Sequence, residues 1–540
     1  MDQCIQVGYM YGPLPASSFL SCRKTVTKEI KRVAIVGRNQ MKVILISAAR
    51  ERRLSLSPDL WSDGYKKVSY LGCTAQWVDR DWNLCTFELF CLPYRKPNKT
   101  AVNVLQVIEE GLALYDLQPF MFDIIWVCDR GSNLKKALEK YNVVHCIAHR
   151  LNNTLQKTFY QLETSKAKKD IAFGDYYINP VDDEDDRISS GDSEEENVPF
   201  DDDDVRLIDR LTRSVNQTTV APSRNNATTT LAQLPSEAKR ALVTIIHTKE
   251  LVKYIKKTNL NQDLEDRGAA VLVQNKLIEF LKPWTFVMKR IQSSLIPSIH
   301  TVTPSIFIIN TSLDVKPTDA KQEKGIMFFR QRAKQVMKEM ICFDPIHLMG
   351  TFFNPKTRHM KHLTAKQREE CIEYVKQEML MMDIDHQVQL PLDSLQVQPI
   401  TTTSNTYMTD FYLIIEQDDH HSTQQSSSKT SSHIIEIDLY LKLGSDKTTI
   451  ANSDQENQEY NPLSFWKKKH ESYPILSKVA ARILGVPATS AAVEREFSFT
   501  GNIITQKRSK LLPDTVNDIV FNHSYNKFKQ RFGDISVHKL

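Results

Sequence analysis

Residues 122–133, FDIIWVCDRGSN, decide the fold class that the sequence predicts. The run up to Cys128 is mostly apolar, which is typical of a strand covered on both faces of a sheet. Asp129 and a polar turn follow it directly. Apolar residues recur at helical spacing on both sides of this run, over 102–112 before it and over 133–140 after it. Strands therefore alternate with helices in this part of the chain, and parallel pairing is expected.

Three segments upstream predict an antiparallel meander, because they are rich in β-branched and aromatic residues and are joined by short polar turns. They are Ser55–Ser62, Lys67–Val78 and Asn83–Cys91. Downstream come a strand at Val143–Ile147 and a longer helix that begins near His149. The predicted order is β-β-β-α-β-α-β-α, which is the order of the ribonuclease H-like fold.

Length and composition exclude several classes of protein. The chain has 540 residues, a net charge of +5, 41% hydrophobic and 25% charged residues, which excludes fibrous and wholly disordered proteins. The nine Cys include no CxxC, so neither a disulfide framework nor a Cys-rich zinc finger is expected. No apolar run approaches the roughly 18–20 residues of a membrane span. The first residues lack the pattern of a signal peptide, so we expect an intracellular protein.

Two polar tracts divide the chain. Val181–Asp204 has thirteen Asp or Glu against one Arg and predicts a solvated loop, with mimicry of DNA charge as the alternative. Thr401–Ser432 is rich in Ser, Thr and Gln and predicts a flexible linker. The predicted segments are an N-terminal helical or irregular segment (1–50), the first part of the α/β core (51–175), the acidic loop (176–204), a mainly helical insertion (205–400), the linker (401–432) and the C-terminal part of the core (433–540).

Carboxylates follow two strands that are neighbours in the predicted sheet. Asp59 lies on the first strand, in SPDLWSDG, and Asp129 follows the fourth. Metal-dependent phosphodiester chemistry needs convergent carboxylates on rigid elements, although an Asp at such a position also caps turns. A helix that begins near Ser490 offers Glu494 and Glu496, which are about 200° apart around the axis, so at most one of them faces the site.

The segment Pro474–Phe521, PILSKVAARILGVPATSAAVEREFSFTGNIITQKRSKLLPDTVNDIVF, resembles the C-terminal dimerisation region of hAT-superfamily transposases. Upstream, DLWS (59–62), VCDRGSN (127–133) and HCIAHRLN (145–152) resemble the catalytic blocks of that family. The resemblance implies a ribonuclease H-like core that is interrupted by a large all-α insertion and completed by a C-terminal helical dimerisation region.

The resemblance also implies chemistry and partners. Asp59, Asp129 and Glu494 would bind Mg²⁺ or Mn²⁺ for strand cleavage at transposon ends and transfer through a 3′-hydroxyl, and His149 would belong to the active site. No zinc is expected, because Cys146 and His149 make only half a site, and Cys146 fits a core position. The implied partners are DNA and a second copy of the chain, in the nucleus and without a membrane.

The C-terminal helices carry the residues expected at a dimer interface or, as the alternative, in the core of the monomer. They are Ile475, Leu476, Val479, Ile483, Leu484, Phe497, Val516, Ile519 and Val520. The basic cluster Lys507, Arg508 and Lys510 is a candidate for contact with DNA phosphates, although such clusters are also common on solvated helix ends.

Three departures from the hAT pattern leave the activity open. The first 50 residues have only two Cys and no His, so the usual BED-type finger is not expected. Trp284 is the only Trp between residues 205 and 396, and the motif of the family that carries a Trp near the DNA end is missing. Pro58 fits a central strand poorly and is expected to disturb Asp59. A competent transposase, a transposase-derived regulator that dimerises and binds DNA, and a protein-interaction scaffold are the three hypotheses.

Overall fold

A five-stranded mixed sheet forms the centre of the protein. The computed structural model describes residues 23–63, 67–159, 234–239, 241–242, 245, 275–314, 324–388, 432–443, 460–504 and 511–533. The strands are β1 (Ser55–Ser62), β2 (Ser69–Val78), β3 (Leu84–Pro93), β4 (Ile125–Cys128) and β5 (Asn142–His145). Their order is β3-β2-β1-β4-β5, with β1 to β3 antiparallel and β4 and β5 parallel to β1.

Helices cover the sheet and build the region inserted before the C-terminal part. The N-terminal half has α1 (Arg23–Arg50), α2 (Ala101–Ala113), α3 (Ser132–Leu138) and α4 (Ile147–Phe159). The inserted region has α5 (Asn275–Ile291), α6 (Val302–Ser312), α7 (Lys324–Met340), α8 (Pro345–Phe352) and α9 (Ala365–Val388). The C-terminal part has α10 (Ser432–Lys442), α11 (Leu463–Lys469), α12 (Leu476–Leu484), α13 (Ala491–Ile503) and α14 (Pro513–Phe532).

Burial on both faces explains why the sequence of strand β4 is apolar throughout. Ile125 and Val127 belong to one hydrophobic cluster, whereas Trp126 and Cys128 belong to another. Because successive side chains of a strand point to opposite faces, each face of the sheet receives every second residue. The prediction that this strand is covered on both faces is confirmed.

On one face of the sheet, N-terminal and C-terminal helices pack together. The hydrophobic cluster there combines residues of α1, α2 and α3 with Phe521 and Phe528 of α14. The same helix also covers the edge strand β3, since the Glu88 and Cys91 amides donate to Ser524 Oγ (2.9 Å) and Asn517 Oδ1 (2.8 Å). The C-terminus of the chain thus satisfies the free edge of a sheet that is built from the N-terminal half.

The opposite face joins the sheet to the inserted helices through one continuous cluster, which also contains most of α12. Two buried arginines tie these parts together. Arg150 of α4 bonds the Cys342 carbonyl and Asp344 Oδ2 (3.3 Å). Arg482 of α12 pairs with Glu378 of α9 (3.1 Å). Each charge is therefore compensated where it is buried, as burial requires.

Most of the strands and helices predicted for the α/β core are confirmed, with boundaries shifted by up to three residues. The mainly helical character predicted for 205–400 is seen in the described helices of that segment, α5 to α9. The acidic loop at 176–204 and nearly all of the linker at 401–432 lie outside the described residues. The sequence did not separate α1 from the irregular N-terminal segment, although α1 has 28 residues. Among the described residues, no helix has an apolar stretch long enough to span a bilayer.

Gly72 of β2 allows α13 to lie close to the sheet. A Cβ atom at this position would lie 2.7 Å from the Phe497 ring and 2.9 Å from Val493 Cγ2. We expect Gly72→Ala to lower the free energy of unfolding by about 1–3 kcal/mol, because overpacking forces side chains or backbone to shift. Urea denaturation measures this change.

Gly501 of α13 provides the matched control. A Cβ there meets only Trp61, at 3.9 Å. Gly501→Ala is therefore expected to be neutral or to stabilise by up to about 1 kcal/mol, as Ala does in helices. Equal destabilisation by the two substitutions would contradict the close packing at Gly72.

Glu88 is a buried carboxylate outside the candidate site. It is 2% exposed and accepts a hydrogen bond from Thr74 Oγ1 (2.6 Å). Burial, together with the charge of Glu496, raises its pKa in the folded protein. A carboxyl group with a raised folded-state pKa contributes stability below its unfolded-state pKa and loses it as the pH rises toward the folded value.

We expect Glu88→Gln to stabilise the protein near neutral pH, because Gln can accept the same hydrogen bond without a buried charge. Urea unfolding of both proteins from pH 4 to pH 8 tests this. The two stabilities should be similar at the acid end and diverge as the pH rises. Parallel curves would show that Glu88 is not the titrating group.

Candidate functional site

Asp59 and Asp129 lie at the same level on neighbouring parallel strands. Strand β1 pairs with β4 through Leu56 and Trp126, and each aspartate follows its strand's paired residue by three positions. Neighbouring strands are about 4.8 Å apart. Both carboxylates therefore lie just beyond the point where the pairing of β1 with β4 ends, and both are partly exposed.

Local hydrogen bonds orient the two aspartates. The Leu60 amide donates to Asp59 Oδ1 (2.8 Å), and the Gly131 amide donates to Asp129 Oδ1 (3.1 Å). The expectation that Pro58 disturbs Asp59 stays a prediction. The ladder to β4 ends at Leu56, before the proline, while pairing with β2 continues through it.

Glu494 reaches the same edge from the first turn of α13. Its neighbour Val493 packs on Gly72, which is the register partner of Asp59 in β2. Phe497, one turn later, stacks on Trp61 with ring centroids 5.7 Å apart. The packing of the helix on β1 and β2 therefore fixes where Glu494 lies.

Glu496 points away from this edge. It lies 3.8 Å from Lys527 of α14, and its charge acts on Glu88. Glu494, in contrast, lies 3.9 Å from His149. Only one of the two glutamates therefore faces the aspartates, as the helical geometry predicted.

His149 in the first turn of α4 completes the cluster. Its Nδ1 atom is buried without a hydrogen-bond partner in the described part of the chain and lies 3.9 Å from Glu494 Oε1. Burial by itself lowers the pKa of His149. Hydrogen bonding to Cys146 and the charges of Glu494 and Asp129 raise it to about 10. The imidazole is therefore a cation at neutral pH.

The carboxylates repel one another. Burial, followed by the charges of Asp129 and Glu494, raises the pKa of Asp59 to about 8. Burial and neighbouring negative charge both favour the protonated form of this carboxyl group at neutral pH. Such a cluster is a candidate for binding a cation or an acid–base role.

Ser490 links the cluster to the end of the sheet. Its hydroxyl donates to Glu494 Oε1 (3.2 Å), and its amide donates to Cys146 Sγ (3.4 Å). Cys146 is fully buried, as its predicted core position requires, and its own amide bonds the Cys128 carbonyl (2.8 Å). Sequence reasoning missed this serine. Its signal was a serine at the helix start, four residues before a glutamate.

Oxygen donors of this kind suit Mg²⁺ or Mn²⁺. Among the residues with described side chains, no three His, Cys, Asp or Glu residues already form a group that could hold a metal ion. Mg²⁺ usually takes one or two carboxylates, while water and substrate phosphates fill its remaining positions. Two convergent aspartates and a neighbouring glutamate fit that partial shell.

The residues expected at a dimer interface lie mostly inside the monomer. Seven of the nine are buried in the chain itself and form no exposed surface for a second subunit: Leu476, Val479, Ile483, Leu484, Phe497, Val516 and Val520. Ile475 and Ile519 are partly exposed but also pack against these clusters. These seven residues instead complete the core of the monomer, which was the alternative drawn from the sequence. Lys507, Arg508 and Lys510 lie outside the described residues.

Comparison with known proteins gives these elements a family context. Residues 439–525 match the family model of the hAT family C-terminal dimerisation region, which supports self-association. The Transposable element Hobo transposase of Drosophila melanogaster is 28% identical over 30% of the chain and 25% of its own length. The Putative transcriptional regulator tpeD of Talaromyces stipitatus is 20% identical over 97% of the chain and 59% of its own length.

A third relative, the Zinc finger BED domain-containing protein DAYSLEEPER of Arabidopsis thaliana, is 32% identical over 16% of the chain and 11% of its own length. The chain thus spans less than two thirds of the length of each of these relatives. The matched C-terminal region and these relatives support membership of the hAT superfamily.

Proposed function

We propose that this protein is a dimeric, DNA-acting member of its superfamily, with a ribonuclease H-like core and a metal-dependent site for cleaving and transferring DNA strands. The observation that carries the proposal is the convergence of Asp59, Asp129 and Glu494. They come from two neighbouring strands, β1 and β4, and from a distant helix, in a sheet ordered β3-β2-β1-β4-β5.

Each residue of the cluster has a role that follows from its position. Asp59 and Asp129, side by side at the strand ends, would hold a divalent cation between them, and Glu494 would hold it from the helix. A bound Mg²⁺ or Mn²⁺ would supply Lewis-acid stabilisation of the attacking and leaving oxygens. His149, as a cation beside the carboxylates, would donate a hydrogen bond to a phosphate oxygen of DNA.

The remaining parts of the proposal follow from the substrate. With DNA as its partner, the protein would act in the nucleus, and Lys507, Arg508 and Lys510 would neutralise phosphates. No zinc is needed for this chemistry. The three carboxylates face a partly exposed edge, so that a nucleic acid backbone can reach them without rearrangement of the core.

A second function has an observation of its own. The relative that matches 97% of the chain is named a putative transcriptional regulator. A DNA-binding dimer without strand cleavage would use the same fold, and the carboxylates would then be a remnant. Catalysis and binding to the same DNA must therefore be measured separately.

Glu494 and Glu496 provide a matched pair for this purpose. We expect Glu494→Gln to lower cleavage by roughly 100-fold or more, since holding a catalytic ion contributes several kcal/mol and each ~1.36 kcal/mol is tenfold in rate. Glu496→Gln, two residues along the same helix, should retain the wild-type rate within about threefold. The substrate is a duplex of the DNA that flanks the gene, with Mg²⁺ or Mn²⁺.

The outcomes separate the two functions. Loss in Glu494→Gln alone supports the enzyme. Equal loss in both variants would mean that helix α13, not the carboxylate, is responsible. Binding of the duplex by wild-type protein in fluorescence anisotropy, without cleavage under either metal, would favour the regulator.

Ser490 is expected to position Glu494 toward the metal. We expect Ser490→Ala to weaken Mn²⁺ binding by about tenfold or more, since groups that orient a metal ligand typically contribute this much. Thr489→Ala is the control, because the Thr489 hydroxyl accepts the Ala491 amide (3.3 Å) rather than touching Glu494. Calorimetric titration of the apo-protein with Mn²⁺ measures both. Equal affinities would show that the Ser490 contact has no positioning role.

A further inference from the structure

The outer face of α10 exposes three large apolar side chains on one side of the helix. Ile434, Ile435 and Leu439 are 39%, 47% and 52% exposed. Residues four apart are neighbours on a helix, so Ile435 and Leu439 form a continuous strip. A groove of about 390 Å³ adjoins it, lined by Leu439, Lys442, Leu443, Ser472 and Tyr473.

The inner face of the same helix is fixed to the core. Glu436 accepts the amides of Leu476 (2.8 Å) and Ile475 (3.2 Å) at the start of α12. The buried Tyr440 donates to the Phe352 carbonyl (2.9 Å). Since these contacts hold the helix in one orientation, its apolar outer face is a permanent feature of the surface.

Helix α9 extends the exposed apolar surface. Leu380 and Met381 of α9 are 40% and 39% exposed. His433 of α10 lies 3.6 Å from Asp383, which is one helical turn from Leu380. We call the exposed apolar side chains of these two adjacent helices the α10 face: Leu380, Met381, Ile434, Ile435 and Leu439. Exposed apolar patches that combine several large side chains mark interaction sites.

We propose that the α10 face is where a second copy of this chain docks. The proposal deepens the self-association proposed above by naming its surface. The match to the dimerisation region begins at Leu439, on this face. Most of the residues first expected to meet the partner are buried in the monomer, whereas the α10 face is open to solvent among the described residues.

The charges on the face are self-complementary. Asp438 and Lys442 are exposed on the same side of the helix, one turn apart, and neither makes an ion pair with another described residue. If the two-fold axis of the dimer is perpendicular to α10, the two copies of the helix lie antiparallel and present the same patch to each other. Asp438 of each copy then faces Lys442 of the other, on either side of the apolar strip.

Leu439→Asp tests the apolar part in the full-length chain. Sedimentation equilibrium should give a dissociation constant for the dimer at least tenfold above that of wild type. Val102→Asp is the matched control, since Val102 is 77% exposed on α2, away from the α10 face. It should leave the dissociation constant unchanged. Equal weakening by both substitutions overturns the proposal.

Mixing two charge variants tests the contact itself. Asp438→Lys and Lys442→Asp each place like charges across the two-fold axis, so each alone should dimerise more weakly than wild type. In an equimolar mixture the heterodimer has opposite charges at both contacts, so the mixture should regain dimer. Absence of this regain would overturn the antiparallel contact.

The remaining outcomes distinguish this surface from self-association in general. If the wild-type chain sediments as a monomer at every concentration, both the proposed dimer and the proposed surface are contradicted. If the wild-type chain is a dimer that Leu439→Asp leaves intact, only the proposed surface is contradicted. If Leu439→Asp lowers the melting temperature without changing the mass, the chain itself covers the face and the proposal fails.

Discussion

The contact of Val493 and Phe497 with Gly72 holds helix α13 against the sheet, and the candidate site depends on it. Glu494 has no strand of its own to fix it beside Asp59. Its position follows from its neighbours in sequence, which fill the space that a glycine leaves open. In a close-packed interior, even one added or removed methyl group disturbs the packing of the neighbouring side chains. A residue without any chemistry of its own thus determines whether three carboxylates can meet.

This dependence changes how the C-terminal region is understood. The region matched to hAT dimerisation contains α12 and α13 and most of α14, and these helices finish the hydrophobic core of the monomer. Substitutions at Leu476 or Val520 would expose core surface before they could affect a partner. Loss of dimerisation in such variants would be inseparable from loss of folding. The outer face of α10 lies in a part of the structure where the two effects can be separated.

Sequence patterns predicted the sheet well because its strands carry local signals. The run before Asp129 is apolar on both faces, and the three earlier segments are β-rich and joined by short turns. The same patterns gave Asp59 and Asp129 as neighbours, since parallel strands end at the same edge. They did not give Gly72, Ser490 or the buried Glu88, because each depends on which distant segment packs against it. Glu494 was preferred over Glu496 by resemblance, and only the packing of α13 gives a physical reason.

The carboxylates of the candidate site are held close together although their negative charges repel one another. Asp59, Asp129 and Glu494 repel one another, and this repulsion adds to burial in raising the pKa of Asp59. The imidazolium of His149 and the first turns of α4 and α13 offset part of it, since helix N-termini favour negative charge. The rest is held by contacts that do not depend on charge, namely the strand register, the stacking of Phe497 on Trp61 and the Ser490 bridge to Cys146. Packing thus keeps together groups that would separate in water, which is the arrangement expected where a cation is to be bound rather than where stability is the aim.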